Sequence, residues 1–297
     1  MTVPEKNFPA MNYAARLAEL HWAGKTAAGA EDMPFTMPSA FKPPLLGLEI
    51  HDELSDFPPL LRQIMREGQS REQRLRIASE TPGVDFLAIY IHQNETDWLA
   101  DFLPSCKLPL IVYCYGLGEN DPARLNRIAA LLDGRGDYLG IAEEETYRTV
   151  GAAALAHGLG VVAQSPMDMN LAKQLNILLA DMGVPRERIM LDPLPSSLGY
   201  GLQYTYTVSE RLQQAGLAGD DWCGLPILGA AGEAWAGRES WSSDEAALGD
   251  VGERALGWES LTGLAMIAAG ASVVHFRNPH ALARVRNLLQ AYGAGEK

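Results

Sequence analysis

The sequence predicts an α/β chain of the (β/α)8 class, a TIM barrel, with an extended N-terminal arm. Three observations predict it. Eight short apolar runs recur between Leu45 and Phe276, each followed by a segment with helical spacing. The runs are continuous rather than alternating, which suits parallel strands buried on both faces. Eight strand–helix units in about 250 residues is the arithmetic of a closed barrel with right-handed crossovers. A doubly wound open sheet is the alternative. It usually has about five to seven strands and often a glycine fingerprint after the first, which "LEIHDEL" lacks.

In chain order, residues 1–44 read as the arm. "MPFTMPSAFKPP" (33–44) is too rich in proline for a helix interior or a central strand. A short helix is expected over Met11–Trp22, where Ala14, Leu17 and Leu20 share a face. Residues 45–297 form the barrel. Its strands are expected in "LLGLEI" (45–50), "DFLAIYI" (85–91), "LPLIVYC" (108–114), "DYLGIA" (137–142), "LGVVAQ" (159–164), "RIMLD" (188–192), "CGLPILG" (223–229) and "SVVHF" (272–276). The helices between them include "DPARLNRIAALLD" (121–133) and "PHALARVRNLLQAY" (279–292). One connection stands out: "AAGEAWAGRESWSSDEAALGDVG" (230–252) is long, acidic and carries two tryptophans. At the C-terminal mouth of a barrel, a loop of this length reads as functional, and the tryptophans argue against pure disorder.

Composition narrows the partners. The formal net charge of −13 argues against nucleic acid or an anionic membrane surface, since phosphates need a basic face. Cys106, Cys114 and Cys223 are scattered, with no CxxC, so neither a zinc site nor a four-cysteine iron–sulfur cluster is expected from this chain alone. Three unclustered cysteines fit a reducing cytoplasm. The N-terminus lacks a signal-peptide pattern, and no apolar run approaches the roughly 20 residues of a membrane helix. The expectation is a soluble cytoplasmic protein.

The candidate site starts from "VVAQSPMDMNLAKQLNILLADMG" (161–183). Ser165 at N-cap, Pro166 at N1 and Asp168 at N3 spell a capping box. Leu171, Leu175, Leu178 and Met182 share one face, and Gly183 supplies the stop. Gln164 and Asn170 fall outside that account: neutral amides at the barrel mouth, beside the positive end of a helix dipole. They suit a neutral, amide-rich ligand. Asp192 ends the sixth run, either as an acceptor for ring N–H groups or as an Asp-Pro turn initiator. Gly199 and Gly201 allow a close backbone approach or close a turn, and Tyr204 and Tyr206 read as packing groups. In "LGAAGEAW" (228–235), Gly229 and Gly232 resemble a loose phosphate loop, but no GK[ST] follows. Glu233 is a general base or, more simply, a helix cap. His51, His92 and His275 sit near strand ends without metal-binding spacing and read as satisfied by backbone. The cofactor-binding candidates are therefore Gln164, Asp168, Asn170, Asp192, Gly199, Gly229 and Glu233.

The block "QSPMDMNLAKQLNILLADMGVPRERIMLDPLPSSLGYGLQYTYTVSERL" (164–212) resembles the small subunit of the corrinoid/iron–sulfur protein, whose methanogen counterpart is the delta subunit of the acetyl-CoA decarbonylase/synthase complex. "PLIVY" (109–113), "EEETYRTVGAAALAHG" (143–158), "GEAWAGRESW" (232–241) and "WESLTGLAMIAAGA" (258–271) extend the match over roughly residues 45–290. The resemblance implies a barrel forming a heterodimer with a large subunit that carries a [4Fe–4S] cluster and a corrinoid (cobamide). The small subunit's mouth would cover the corrinoid. The pair would take a methyl group from a methyl-tetrahydropterin methyltransferase and deliver it to acetyl-CoA synthase. No Asp-x-His-x-x-Gly corrinoid motif occurs here: the H-x-x-G matches at His21 and His157 lack the aspartate. The arm does not align, and "PLPSS" (193–197) stands where a threonine/glycine-containing turn is expected. The alternative is a stand-alone pterin-dependent methyltransferase in which Asp192 and Asn170 hydrogen-bond the pterin ring.

Overall fold

Eight strands close into a parallel ring: Leu45–His51 (β1), Phe86–Ile91 (β2), Leu110–Cys114 (β3), Tyr138–Ala142 (β4), Gly160–Gln164 (β5), Ile189–Asp192 (β6), Ile227–Ala230 (β7) and Ala271–Phe276 (β8). The computed structural model describes residues 20–22, 25–27, 43–93, 95–115, 121–244 and 246–294. Each strand pairs with the next, and β8 pairs with β1, Val273 opposite Leu45 through Phe276 opposite Leu48. That closure excludes the open sheet. The expected strands stand within a residue or two of their places except the seventh. There Cys223 and Gly224 belong to a turn, their N–H groups bonded to the Asp220 carbonyl, and pairing starts only after Pro226, which has no N–H.

Nine helices surround the ring among the described residues: Pro59–Ile64 (α1), Arg71–Glu80 (α2), Asp97–Phe102 (α3), Pro122–Leu131 (α4), Tyr147–Ala156 (α5), Met169–Asp181 (α6), Leu202–Leu217 (α7), Val251–Ala268 (α8) and Pro279–Ala294 (α9). None is long and apolar enough to cross a membrane. The outward strand residues, such as Leu48, Leu87, Ile89, Val112 and Val161, pack with helix residues such as Leu75, Leu125, Leu175 and Leu282 in the main core. A second core fills the ring's axis with Leu45, Phe86, Ile111, Tyr113, Tyr138, Val162, Met190 and Val273. Three aromatic rings fit there because a glycine sits opposite each on the neighbouring strand. Gly47 faces Phe86, Gly140 faces Tyr113 and Gly160 faces Tyr138 in register. A Cβ on Gly47 would lie 2.5 Å from the Phe86 ring, and one on Gly140 2.6 Å from Tyr113.

Three local expectations are corrected. The helix expected over Met11–Trp22 ends instead in a strand: Leu20–Trp22 pairs antiparallel with Lys25–Ala27. Residues 11–19, and most of "MPFTMPSAFKPP", lie outside the described residues. On α6 the N-cap is Asp168, whose Oδ1 accepts from the N–H groups of Asn170 and Leu171 at 2.8 and 3.0 Å. Ser165 is too early, because Met167 adopts a left-handed φ of 50° that holds the turn outside the helix. The buried face of α6 is Ala172, Leu175, Asn176 and Leu179, with Leu171, Leu178 and Met182 half-buried along its edges. No correction applies to the 230–252 connection, whose described residues hold three short 3-10 turns, Ala231–Ala236, Arg238–Ser240 and Ala246–Leu248. Trp235 anchors it in a small core with Leu54, Leu61 and Ala255.

Candidate functional site

Side chains at the C-terminal ends of the strands point into the mouth as two polar clusters, separated by tyrosines. The first joins β5 to β6. Gln164 and Asp192 are register partners, and Gln164 Nε2 donates to Asp192 Oδ2 at 2.7 Å. The other Asp192 oxygen accepts the Leu194 N–H at 2.8 Å. Burial pushes the Asp192 carboxyl above its ordinary pKa, although both hydrogen bonds oppose the rise. Next in the chain, Ser165 is buried, and its Oγ has no hydrogen-bond partner among the described residues.

The second cluster closes the ring between β8 and β1. Glu49 is 2% exposed and accepts three hydrogen bonds: from His275 Nδ1 at 2.7 Å, from Arg277 Nε at 2.7 Å and from His51 Nε2 at 3.1 Å. Its carboxyl lies well below the usual range. Burial alone would raise it, but the Arg277 and His275 charges and the two histidine bonds outweigh that push. Arg277 also donates to the Gly232 carbonyl at 2.7 Å and to Glu233 Oε1 at 2.6 Å. His51 stacks on Tyr90 at 4.3 Å, and burial lowers its pKa to about 4. It is therefore neutral near pH 7. Its Nδ1 meets His92 Nε2 at 3.1 Å. On the other side of Glu49, His275 Nε2 approaches the Tyr113 hydroxyl at 3.4 Å. A hydrogen-bonded chain thus runs from half-buried His92 through His51, Glu49 and His275 to Tyr113 on the barrel axis.

Tyr90, Tyr113 and Tyr115 form the layer between the clusters, with ring centroids 4.4 and 5.4 Å from Tyr90. Behind Arg277, Glu259 of α8 is fully buried. It accepts from Trp235 Nε1 at 2.6 Å and from the N–H groups of Arg277 and Asn278 at 2.6 and 3.0 Å. Burial raises its pKa to about 7. The three cysteines are buried and free, and burial pushes the Cys114 thiol up to about 12. Among the described residues, no group of three or more His, Cys, Asp or Glu is placed to hold a metal ion.

The structure brings together Gln164 and Asp192 from the sequence candidates, and places Glu233 across the mouth on Arg277. Glu233 is an ion-pair partner there, not a helix cap. Asp168 and Asn170 are exposed on the rim, Asp168 spent on its cap. Gly199 lies in an exposed turn with φ 83°. Gly229 faces away from the axis: a Cβ there would meet Met266 Cβ of α8 at 2.8 Å, so close strand–helix packing accounts for it. Tyr204 is exposed, not packed. His51, His92 and His275 are satisfied by Glu49 and by each other instead of by backbone. Sequence reasoning missed Glu49, Arg277 and Glu259. A signal for the first two exists: "EIH" and "HFR" put ionisable groups two residues apart, on one face of strands otherwise apolar.

With this geometry in hand, comparison with known proteins is informative. The family model described as "CO dehydrogenase/acetyl-CoA synthase delta subunit" matches residues 29–278. The chain belongs to that family. Among its curated relatives, the acetyl-CoA decarbonylase/synthase complex subunit delta of Archaeoglobus fulgidus is 34% identical over 202 residues, covering 66% of this chain and 45% of that protein. The protein of the same name from Methanopyrus kandleri is 30% identical over 204 residues, covering 68% and 51%. This delta-subunit family member thus spans about half the length of the curated relatives it matches. Its barrel is also similar to solved dihydropteroate synthases. The Xanthomonas albilineans enzyme with 4-aminobenzoic acid superposes with a TM-score of 0.61 at 15% identity, covering 94% of this chain and 99% of that one. The Thermus thermophilus enzyme gives 0.57 at 16%, covering 92% and 99%. At such identities the likeness speaks for the fold alone.

Proposed function

We propose that this chain is the small subunit of a corrinoid/iron–sulfur protein, working as a cytoplasmic heterodimer whose large subunit carries the corrinoid and the iron–sulfur cluster. In this reading the barrel mouth covers the corrinoid while a methyl group passes from a methyl-tetrahydropterin methyltransferase to acetyl-CoA synthase. The observation that carries it is the rim over β5 and β6, in a chain of the delta-subunit family. That rim offers a fixed amide, Gln164, and an exposed one, Asn170.

These groups fit the neutral amide arms at a corrin's edge, which both donate and accept. When bound, the corrinoid supplies the methyl-accepting chemistry. The chain's own residues position and exclude water. Asp192 fixes the Gln164 side chain so that little rotamer freedom is lost on contact. Met167 and Tyr204, both exposed beside the rim, give apolar surface to a partner and shed water from the mouth. Glu49, with its three donors, holds the β8–β1 side rigid.

The test is co-purification. Expressed with a large corrinoid/iron–sulfur subunit, the tagged chain brings down a one-to-one complex with corrinoid and iron–sulfur absorption bands, which the chain alone lacks. Persistent failure to associate with any such subunit refutes the reading. A second reading, the stand-alone pterin-dependent methyltransferase, is favoured by one observation: the buried Asp192 carboxylate beside Gln164 matches the N–H edge of a pterin ring. It requires the isolated chain to bind methyl-tetrahydropterin and to lose that binding in Asp192→Ala. No binding removes it.

A further inference from the structure

On the outer side of β1, the sheet, the end of α1, α2 and α9 line a half-open cavity of about 390 Å³. That volume falls within the range of small-molecule sites. Outward-facing Leu48 and Ile50, with Ile77 and Ala78 of α2 and Ala283 of α9, make most of the wall apolar. Arg74 interrupts it. The residue is 8% exposed, and its Nε has no hydrogen-bond partner among the described residues. Its Nη2 reaches only the Asp52 carbonyl, at 3.4 Å. The Asp52 carboxylate is committed elsewhere, accepting the N–H groups of His92 and Gln93 at 2.9 and 3.1 Å. Among the described residues no carboxylate makes an ion pair with Arg74.

Unpartnered Nε atoms recur among this protein's arginines, as at Arg62, Arg124 and Arg186; Arg74 differs in lining a pocket while no carboxylate bonds its guanidinium among the described residues. We propose that this cavity binds a small amphipathic carboxylate, its head taken by the Nη end of the Arg74 guanidinium and its apolar body lying along Leu48, Ile50 and Ile77. Charge agrees with that assignment. Two arginines, Arg66 and Arg74, stand on this side, while the lining Glu49 and Arg277 turn their side chains to the mouth, in a protein of net charge −13. Glu49 and Arg277 already satisfy each other, which leaves Arg66 and Arg74 as cations without an ion pair among the described residues. A local positive concavity on an acidic surface draws anions in. Burial and the neighbouring Arg71 lower the Arg74 pKa from its ordinary value, although the Asp52, Glu53 and Glu72 charges oppose the fall. The Nη end of the guanidinium suits a carboxylate oxygen, and the apolar wall favours an anion with a hydrocarbon body over a bare ion. The site depends on neither functional reading of the mouth.

Calorimetry on the full chain tests it with three probes: sodium decanoate, decanol and inorganic phosphate. Decanoate is expected to bind one-to-one and saturate below millimolar concentration, decanol at least about tenfold more weakly, and phosphate not measurably. Arg74→Met, which keeps the side chain's bulk, weakens decanoate about tenfold and leaves decanol unchanged. Ala78→Phe fills the cavity and weakens both. The proposal is overturned if decanoate does not saturate, if decanol or phosphate matches it, or if Arg74→Met leaves decanoate binding intact. Should Arg74→Met fail to fold, the three probes on the wild type and Ala78→Phe still decide the matter.

Discussion

Arg277→Met removes from the buried Glu49 carboxylate its closest cation while keeping a side chain of similar length. The Nε bond of 2.7 Å to Glu49 goes, as do those to Gly232 and Glu233. Glu233 lies partly in water and recovers hydration; Glu49, at 2% exposure, does not. Orphaning one partner of such a buried pair costs about 3–5 kcal/mol. At about 2–4 °C per kcal/mol for a domain of this class, the melting temperature falls by about 6–20 °C. The pH dependence gives the argument its sign. In the wild type the folded-state Glu49 pKa lies below the ordinary 4.5, so its contribution is present above that value and lost as pH falls through the folded value. In the variant, the upward push of burial is no longer opposed by Arg277, and Glu49 favours its protonated form. The gap between the two proteins is therefore widest near neutrality and narrows below about pH 4.5. Urea unfolding followed by circular dichroism across that range measures it, and Glu49→Gln/Arg277→Met should recover part of the loss. A loss under about 1 kcal/mol that does not vary with pH would refute the account, because it would mean that Glu49 is solvated.

Other perturbations test other parts of the molecule. Gly47→Ala puts a methyl group into the Phe86 ring and is expected to cost about 1–3 kcal/mol through overpacking, read as a lower urea midpoint; a neutral result would show that the axis has spare room. Glu259, with a folded-state pKa near 7 against an ordinary 4.5, contributes stability that is full below the lower value and lost as pH rises to the upper one, about 3 kcal/mol in all. Glu259→Gln should flatten that stretch of the stability–pH curve, and an unchanged slope contradicts the assignment. Asp192→Ala leaves Gln164 Nε2 unpaired at a cost of about 1–3 kcal/mol. Asp192→Asn, whose amide can pair with a flipped Gln164, should cost clearly less, so equal losses would count against the pair.

The ring itself was legible because parallel strands covered on both sides must be apolar throughout. Such runs as "FLAIYI" and "LIVYC" carry that requirement openly. Strand ends were less legible where a turn borrowed apolar residues, as Cys223 and Leu225 show ahead of β7. Cap positions depend on backbone angles: Ser165 and Asp168 are both good caps, and only the left-handed turn at Met167 selects the second. Half of the mouth was visible, since Gln164 and Asp192 announce themselves as polar groups ending apolar runs. The other half was not. Glu49 meets His275 across 226 positions and Arg277 across 228, and no local pattern connects residues so far apart. Glu259 was hidden by its helix, where a glutamate ordinarily faces water.

The seam between β8 and β1 has a consequence for how the molecule is made. Leu45–His51 is the first segment of the ring to leave the ribosome, and its second neighbour, Ala271–Phe276, is the last strand of the ring to emerge. Throughout synthesis the growing sheet therefore carries an unsatisfied border with a bare carboxylate on it, prone to pairing with the wrong chain. Premature termination before Ala271 leaves that border open for good, so nonsense products of this protein are expected to clump instead of persisting as smaller soluble domains.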